Sequence, residues 1–386
     1  MNNSNRKRSD FHRLPQLDHS KYIFLTGSTG MLGSYFLREL LASGRKVVTL
    51  VRPTRKMKAR ERVDSILSIW ENDSFHILRP VIIEGDLTGQ NWLETDAQWI
   101  RENVDTVIHS AASLEFYGKR NEEPYRTNLE GLKTILDLCQ RAGIQKFHHI
   151  STAYVAGSNP FFLETQCDVG QKFRNDYEQS KIEAEKMVRN FGFRSLTVYR
   201  PSIVIGDTQN GYTATLSGLY AALKLVHTLV SQLSLGATSA KCAISAMGMK
   251  GPEVKNLVPV DWVAKVFMYI FTHEELHGQT YHLTNPNPPQ MNIIAKTIQE
   301  AVEHYSVFAP ENEQPPCDEN WFKMNFSGQM RLFRAYLQED SHFDSSNTQK
   351  AVPHLPCPSV DHDLLMFLFQ KIIESRFGRN WNLNAH

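Results

Sequence analysis

The chain has 386 residues, and 42 Lys and Arg against 41 Asp and Glu leave a formal charge of +1. A balance this close supplies no field for nucleic acid or for a strongly acidic partner, and the length allows one large α/β domain or two domains. Five cysteines (Cys139, Cys167, Cys242, Cys317 and Cys357) are scattered and form no CxxC, which fits a reduced, cytoplasmic protein without structural zinc or another metal site.

Residues 1–20 are polar, with Arg6, Lys7, Arg8 and Arg13. They are expected to be a loose tail, and they lack the apolar run of a secretory signal. Tyr22 to Thr26 has strand chemistry. Gly27, Gly30 and Gly33 follow at three-residue intervals. A helical pattern with Leu32, Phe36 and Leu40 on one face then runs to Ser43-Gly44. Strand, glycine turn and helix together form a dinucleotide cradle. The first glycine allows the tight turn, the second lets backbone approach a pyrophosphate, and the third lets helix and strand pack closely. The helix N-terminus offers free N–H groups to the phosphates. Gly27, Ser28, Thr29, Gly30, Met31, Leu32 and Gly33 are therefore candidate cofactor contacts.

Lys46 to Arg52 is a second strand. An NAD site places an acid about 20 residues past the glycines, on the ribose 2′-OH. Here Arg52 stands 19 residues past Gly33, with Arg55 just after, and no acid is near. Guanidinium groups suit a 2′-phosphate, so the expected cofactor is NADP(H). Residues 55–70 look helical and carry Arg55, Lys56, Lys58, Arg60 and Arg62, as a solvated face or a dock for an acidic partner. Val81 to Leu87 is a third strand. Its Asp86, beside Leu87, either accepts from the adenine amino group or caps the next turn.

Thr106 to Ala112 is a fourth strand, whose small residues Ser110, Ala111 and Ala112 leave room for ribose and pyrophosphate; His109 is expected to be packed at its end. Pro124 to Ala142 is a long helix with Asn128 in its first half. Phe147 to Gly157 brings a fifth strand and delivers Ser151 and Thr152. His148 and His149 are adjacent, face opposite sides of a strand, and make no metal pair. Alternating strands and helices across 21–205 specify an α/β, doubly wound, parallel-sheet Rossmann fold.

Tyr177 and Lys181 fall at i and i+4, on one helix face. A tyrosine near pKa 10 is a poor base at neutral pH, and a cationic lysine beside it favours the phenolate. In the reductive direction the same phenol is the acid that protonates a developing alkoxide. A hydroxyl must also hold the substrate oxygen, and Ser151 and Thr152 both stand at the preceding strand end.

The chain resembles an extended short-chain dehydrogenase/reductase. The resemblance rests on TGSTGMLG at 26–33, GDL at 85–87, HSAA at 109–112, TNLEG at 127–131, ISTAYVAG at 150–157, YEQSK at 177–181 and YRPSIVIGD at 199–207. It implies that Thr152, 25 residues before Tyr177, is the hydroxyl on the substrate oxygen. It also implies that Lys181 holds the nicotinamide ribose, that Asn128 serves cofactor-side structure or a proton relay, and that Pro201, Ser202 and Ile203 line the cofactor. ISTAYVAG, RPSIVIGD and NLVPVDWVA at 256–264 are most similar to the thioester reductase and fatty acyl reductase branch, of the male-sterility NAD(P)-binding type. That branch, known from polyketide and nonribosomal peptide biosynthesis, reduces a thioester on a carrier protein's phosphopantetheine or on coenzyme A. The product is an aldehyde or an alcohol, and NADPH is the reductant. Residues 21 to about 285 carry the similarity. No adenylation or carrier segment is recognised in the sequence, so the acyl group is expected to arrive in trans.

Two other readings use the same fold. One is an NADP-dependent alcohol or ketone dehydrogenase, or a sugar-nucleotide epimerase/dehydratase; Arg52 counts against an NAD-retaining epimerase. The other is an NADP-sensing scaffold, which would be expected to lack Tyr177 or Lys181.

The rest resembles a smaller substrate-capping region. The expected division is 21–210 plus about 255–285 for the Rossmann part, with 211–254 and 286–386 for the cap. Thr213 to Leu235 is a helical segment whose side chains pack a core and wall the acyl pocket. Lys224, His227, Ser231 and Gln232 interrupt its longest apolar stretch, so it is not a membrane span. Asp261 is expected to cap the following helix, Thr280 to Thr284 to form a strand, and Ile293 to Tyr305 a helix. Residues 306–358 are expected to be irregular, and Leu364 to Ile373 an amphipathic helix.

Overall fold

The structure, a computed structural model, describes residues 21–71, 77–89, 91–216, 218–232, 237–246, 248–249, 251–305, 324, 339–378 and 381. The tail 1–20, Cys317 and nearly all of 306–338 lie outside the described residues. The strands in chain order are β1 (Tyr22–Thr26), β2 (Val47–Val51), β3 (Val81–Glu84), β4 (Val104–His109), β5 (Lys146–Ile150), β6 (Phe161–Phe162), β7 (Ser195–Pro201), β8 (Ile203–Ile205), β9 (Leu257–Pro259), β10 (Thr280–Leu283) and β11 (His342–Phe343). The helices are α1 (Met31–Ala42), α2 (Ala59–Leu67), α3 (Asn91–Asn103), α4 (Leu132–Ala142), α5 (Asp176–Asn190), α6 (Leu219–Gln232), α7 (Ala237–Ala246), α8 (Val260–Thr272), α9 (Met291–Tyr305), α10 (Ser346–Ala351) and α11 (His362–Glu374).

Seven strands make one sheet in the order β3-β2-β1-β4-β5-β7-β10, and every neighbouring pair is parallel. Central strands of such a sheet are covered on both faces, which is why β2 reads VVTLV with all five residues buried. On one face α1 and α8 pack together, with Phe36 stacked on Phe267 at 4.0 Å between ring centroids. On the other, Leu132, Ile135 and Leu138 of α4 and Val188 of α5 close over Phe24 and Val107. Full burial of each such side chain stabilises the fold by about 1.5–3 kcal/mol. The strand order reverses between β1 and β4, and a doubly wound sheet binds its ligand in the crevice at that point, beyond the strands' carboxyl ends.

A second apolar cluster joins α6, α7, α9 and α11 through Leu223, Val226, Ala243, Ile298, Leu365 and Phe369. The chain after residue 338 contributes α11 to this cluster, while residues 342–352 pack elsewhere. β11 pairs with β6, Asn347 Nδ2 donates to Thr280 O at 3.0 Å on edge strand β10, and Val352 enters the α1–α8 core. An open sheet edge leaves unpaired backbone groups, and α10 with the residues before it covers part of this one.

Two expectations change. The helix foreseen from Pro124 begins as a π-helical turn, Arg126–Gly131, before α4. Asp261 lies inside α8, whose N-cap is Pro259; its carboxylate accepts from Thr208 N at 3.1 Å and Thr208 Oγ1 at 2.9 Å. Among the described residues Cys139, Cys167 and Cys357 are free, no group of His, Cys, Asp or Glu is arranged to hold a metal, and no helix is long and apolar enough to cross a membrane.

Candidate active site

The glycine loop owes its shape to close backbone contacts. Gly27 has φ +72°, and a Cβ there would lie 2.6 Å from Ala111 N. At Gly33 a Cβ would lie 2.1 Å from Gly27 O, whereas at Gly30 it would meet only Gly27 O at 3.3 Å. The loop is tied to the end of β4: Thr26 Oγ1 accepts from Ala111 N at 3.2 Å and lies 3.0 Å from His109 Nδ1. His109 is thus the packed strand-end residue expected, and burial, with Lys181 nearby, lowers its pKa to about 3.

α5 presents the YxxxK pair. Its N-cap Asn175 accepts from Glu178 N at 2.9 Å, and Asp176 and Glu178 place acid in the first turn, where the helix dipole favours it. Asp176 also accepts from Gly118 N and Tyr125 OH and donates its own N–H to Phe116 O. That arrangement holds Phe116 edge-on to the Tyr177 ring at 6.3 Å.

Of the two hydroxyls at the end of β5, Thr152 lines the same cavity as Tyr177, and its Oγ1 accepts from Tyr154 N at 3.2 Å and lies 3.4 Å from Pro201 O. Ser151 instead donates to Glu185 Oε2 at 2.8 Å. Glu185 is one turn beyond Lys181 and fully buried against Arg200, whose Nε lies 3.1 Å away. Burial acts to raise the Glu185 pKa, but Arg200 and Arg189 hold it far below the usual carboxylate range. Lys181 Nζ donates to Ile150 O at 2.7 Å. Burial lowers the Lys181 pKa to about 8, with Glu185 acting in the opposite direction. The phenol differs from expectation. Burial pushes Tyr177 up to about 12, against the smaller lowering effect of the Thr152 hydroxyl, so the phenol holds its proton at neutral pH.

One cavity of about 250 Å³ brings these parts together. Of the expected residues, Gly27, Gly30, Met31, Leu32, Gly33, Ser110, Ala112, Thr152, Tyr177, Lys181, Pro201, Ser202 and Ile203 line it. Ser202 Oγ is buried there without a hydrogen-bond partner. Asn128 is not on the wall: it accepts from Ser113 N at 2.8 Å and donates to Ser180 Oγ at 2.8 Å, bracing the chain after β4 against α5. Ala111 supports Gly27 from below, Leu87 packs near Gly131, and Ser28 Oγ is 2.6 Å from Thr49 Oγ1.

At the far end of the loop, Arg52 Nη1 pairs with Asp86 Oδ2 at 3.1 Å, and Asp86 Oδ1 accepts from Thr88 N at 2.9 Å, so Asp86 does cap its turn. Arg55 is exposed before α2. Arg62 donates through Nη2 to Thr29 Oγ1 at 2.9 Å and through Nη1 to Arg52 O. It is therefore a crevice residue and not part of a free basic face, and sequence reasoning missed this. The signal was helix phase: Ala59, Val63 and Leu67 are the buried stripe of α2, and Arg62 flanks it.

The family model described as male sterility protein matches residues 25–267, a span that includes the glycine loop, Thr152, Tyr177 and Lys181. The chain belongs to this family. A curated relative, L-2-aminoadipate reductase of Schizosaccharomyces pombe, is 26% identical over 309 residues, 73% of this chain and 20% of that protein. The chain spans about a fifth of the length of the first such relatives. The terminal R domain from the myxalamid PKS-NRPS biosynthetic pathway superposes with a TM-score of 0.68 at 24% identity, over 95% of this chain and 94% of that one. A thiolation-reductase di-domain from an archaeal non-ribosomal peptide synthetase gives 0.67 at 19% identity, over 92% and 76%. At these identities the two structures establish fold. This member of the male sterility family has the fold of an NAD(P)-binding domain.

Proposed function

We propose that the chain reduces an acyl thioester with NADPH, with Tyr177 as proton donor, Thr152 holding the substrate oxygen and Lys181 charging the site. The observation that carries this reading is a cavity lined by the glycine loop together with Thr152, Tyr177 and Lys181. The cradle suits a dinucleotide: Gly27 and Gly33 have no room for a Cβ, and the orphaned Ser202 hydroxyl needs a ligand partner. When bound, NADPH supplies the hydride. Tyr177, kept protonated by burial, gives its proton to the oxygen as the carbonyl is reduced. Loss of the thiol then leaves an aldehyde, and a second round would give an alcohol. Relatives named as an aminoadipate reductase and as a reductase beside a thiolation domain favour a phosphopantetheine thioester, on a carrier protein or on coenzyme A.

Arg62 bonds Thr29, and Arg52, paired with Asp86, is close enough to Arg62 to act on it. Burial and then Arg52 lower the Arg62 pKa, which marks adjoining cations that an anion would relieve. A 2′-phosphate fits that place. Arg52→Ala is expected to weaken NADPH binding by about tenfold, the value of a charge-assisted hydrogen bond, and to leave NADH binding alone. Calorimetric titration of both cofactors decides; equal affinities in the parent chain would remove the NADP assignment.

The pH profile is a second check. kcat/KM reports the free enzyme's groups. Lys181 must be charged to serve, and its pKa near 8 predicts a fall above about pH 8, while Tyr177 near 12 adds no limb below that. A profile flat to pH 10 would remove Lys181 from this role. The reaction class is tested by following NADPH absorbance with an acyl-CoA, an acyl-pantetheine, a secondary alcohol or ketone, and a UDP-sugar. Thioester turnover supports the reading, whereas turnover of the ketone or sugar alone replaces it.

A further inference from the structure

Arg174 precedes Tyr177 by three residues, and its side chain is 10% exposed. Glu178 fixes it from two sides: Oε1 accepts from Arg174 Nε at 2.8 Å and Oε2 from Arg174 N at 3.0 Å. Its guanidinium carbon lies 5.1 Å over the Tyr154 ring. Nη1 is 3.8 Å from Asp340 Oδ1, too far for a hydrogen bond. Nη2 is buried with no partner. Together with Tyr154, Glu178 and Asp340, Arg174 lines the cavity that holds Tyr177 and Thr152. It also lines a neighbouring cavity of about 470 Å³, walled by Asn256, Asn285 and His342 among others. The same arginine therefore stands where the two spaces adjoin.

A buried donor left unmade is costly, and a rotamer held by Glu178 and Tyr154 cannot turn away to water. The ligand that enters this space must supply the acceptor. The surrounding charge says what kind. Arg174 and Lys255 face Glu178 and Asp340, and Lys255 Nζ donates to Asp340 Oδ1 at 3.0 Å. Among these four described side chains two cations and two anions balance, so a neutral oxygen completes the site without adding an unpaired charge.

We propose that Arg174 anchors the substrate by donating from Nη2 to an amide carbonyl oxygen of the thioester, and so selects amide-bearing substrates over plain aliphatic ones. This rests on the acyl-thioester reading above. The amide belongs either to the acyl group or to the pantetheine arm, and four substrates separate the two sources. These are an N-acetylaminoacyl and an octanoyl group, each as a pantetheine thioester and as an ethyl thioester. The wild-type KM is expected to be about tenfold lower whenever the anchoring amide is present. If the amide is in the acyl group, the preference follows the acyl group whatever the thiol; if it is in the arm, it follows pantetheine whatever the acyl group. Arg174→Lys and Arg174→Met should each collapse that KM ratio towards one, with NADPH affinity reporting that the cradle is intact.

A wild-type enzyme with no amide preference overturns the proposal, and this needs no variant to fold. A ratio that survives in both variants, even with uniformly lower activity, also overturns it, because loss without discrimination is a structural effect. Reduction of none of the four by wild type is a different failure, that of the thioester reading itself.

Discussion

Tyr177→Phe is expected to lower kcat by about 10² or more, the usual contribution of a positioned general acid, with NADPH affinity unchanged. The ring stays, so its edge contact with Phe116 stays, and only the phenol hydroxyl is lost. Loss of one hydroxyl costs at most about 1 kcal/mol, so the fold should survive. The comparison that gives the result meaning is Thr152→Val, which removes the second hydroxyl but leaves the acid; its loss should be smaller. Stopped-flow single turnover separates chemistry from product release. Near wild-type single-turnover rates in Tyr177→Phe would falsify the acid assignment. Equal losses in the two variants would mean that the pair acts as a unit and that neither residue can be assigned alone.

Much of this site was legible because its chemistry is local in sequence. Three glycines, a YxxxK turn and a Ser/Thr strand end each sit within one element, and alternation of strand and helix fixes how those elements stack. What escaped was either conformational or long-range. The residues alone leave Ser151 and Thr152 open and only the family resemblance implies Thr152, because the bond that takes Ser151 comes from Glu185, 34 residues on. The rise in the Tyr177 pKa follows from burial, which one lysine four residues away does not disclose. Arg62 was counted with its basic neighbours because composition hides helix phase, so a charge reversal meant to probe a docking face on α2 must spare it. Asp340 could not have been placed beside Tyr154 and Lys255 from sequence at all, since 186 and 85 residues separate them. The return of residues 340–352 to the nucleotide-binding part was hidden for the same reason.

The second large effect is expected at Gly33. A Cβ there meets Gly27 O at 2.1 Å and Gly27 C at 2.6 Å, and both are backbone atoms of the loop itself. No side-chain rotation relieves such a clash, so Gly33→Ala must push α1 away from the turn. Shifts of about 1 Å at a positioned site cost about 10². NADPH binding should weaken by at least that factor, and overpacking should cost a further 1–3 kcal/mol or so of stability. Two other glycines separate this cause from a general intolerance. Gly30 has extended backbone, and its Cβ would meet only Gly27 O at 3.3 Å. Gly30→Ala should therefore fold normally and lose affinity only through crowding of the bound pyrophosphate. Gly44 has φ +77° with nothing within 4 Å of its Cβ. Gly44→Ala should pay only the left-handed strain, about 1–2 kcal/mol, and bind NADPH as the parent does. Thermal melting and calorimetry on the three variants give a pattern that no uniform effect reproduces: both readouts fall at Gly33, affinity alone at Gly30, stability alone at Gly44. If Gly33→Ala binds NADPH as tightly as Gly44→Ala, close packing of α1 on the loop is not what shapes the cradle.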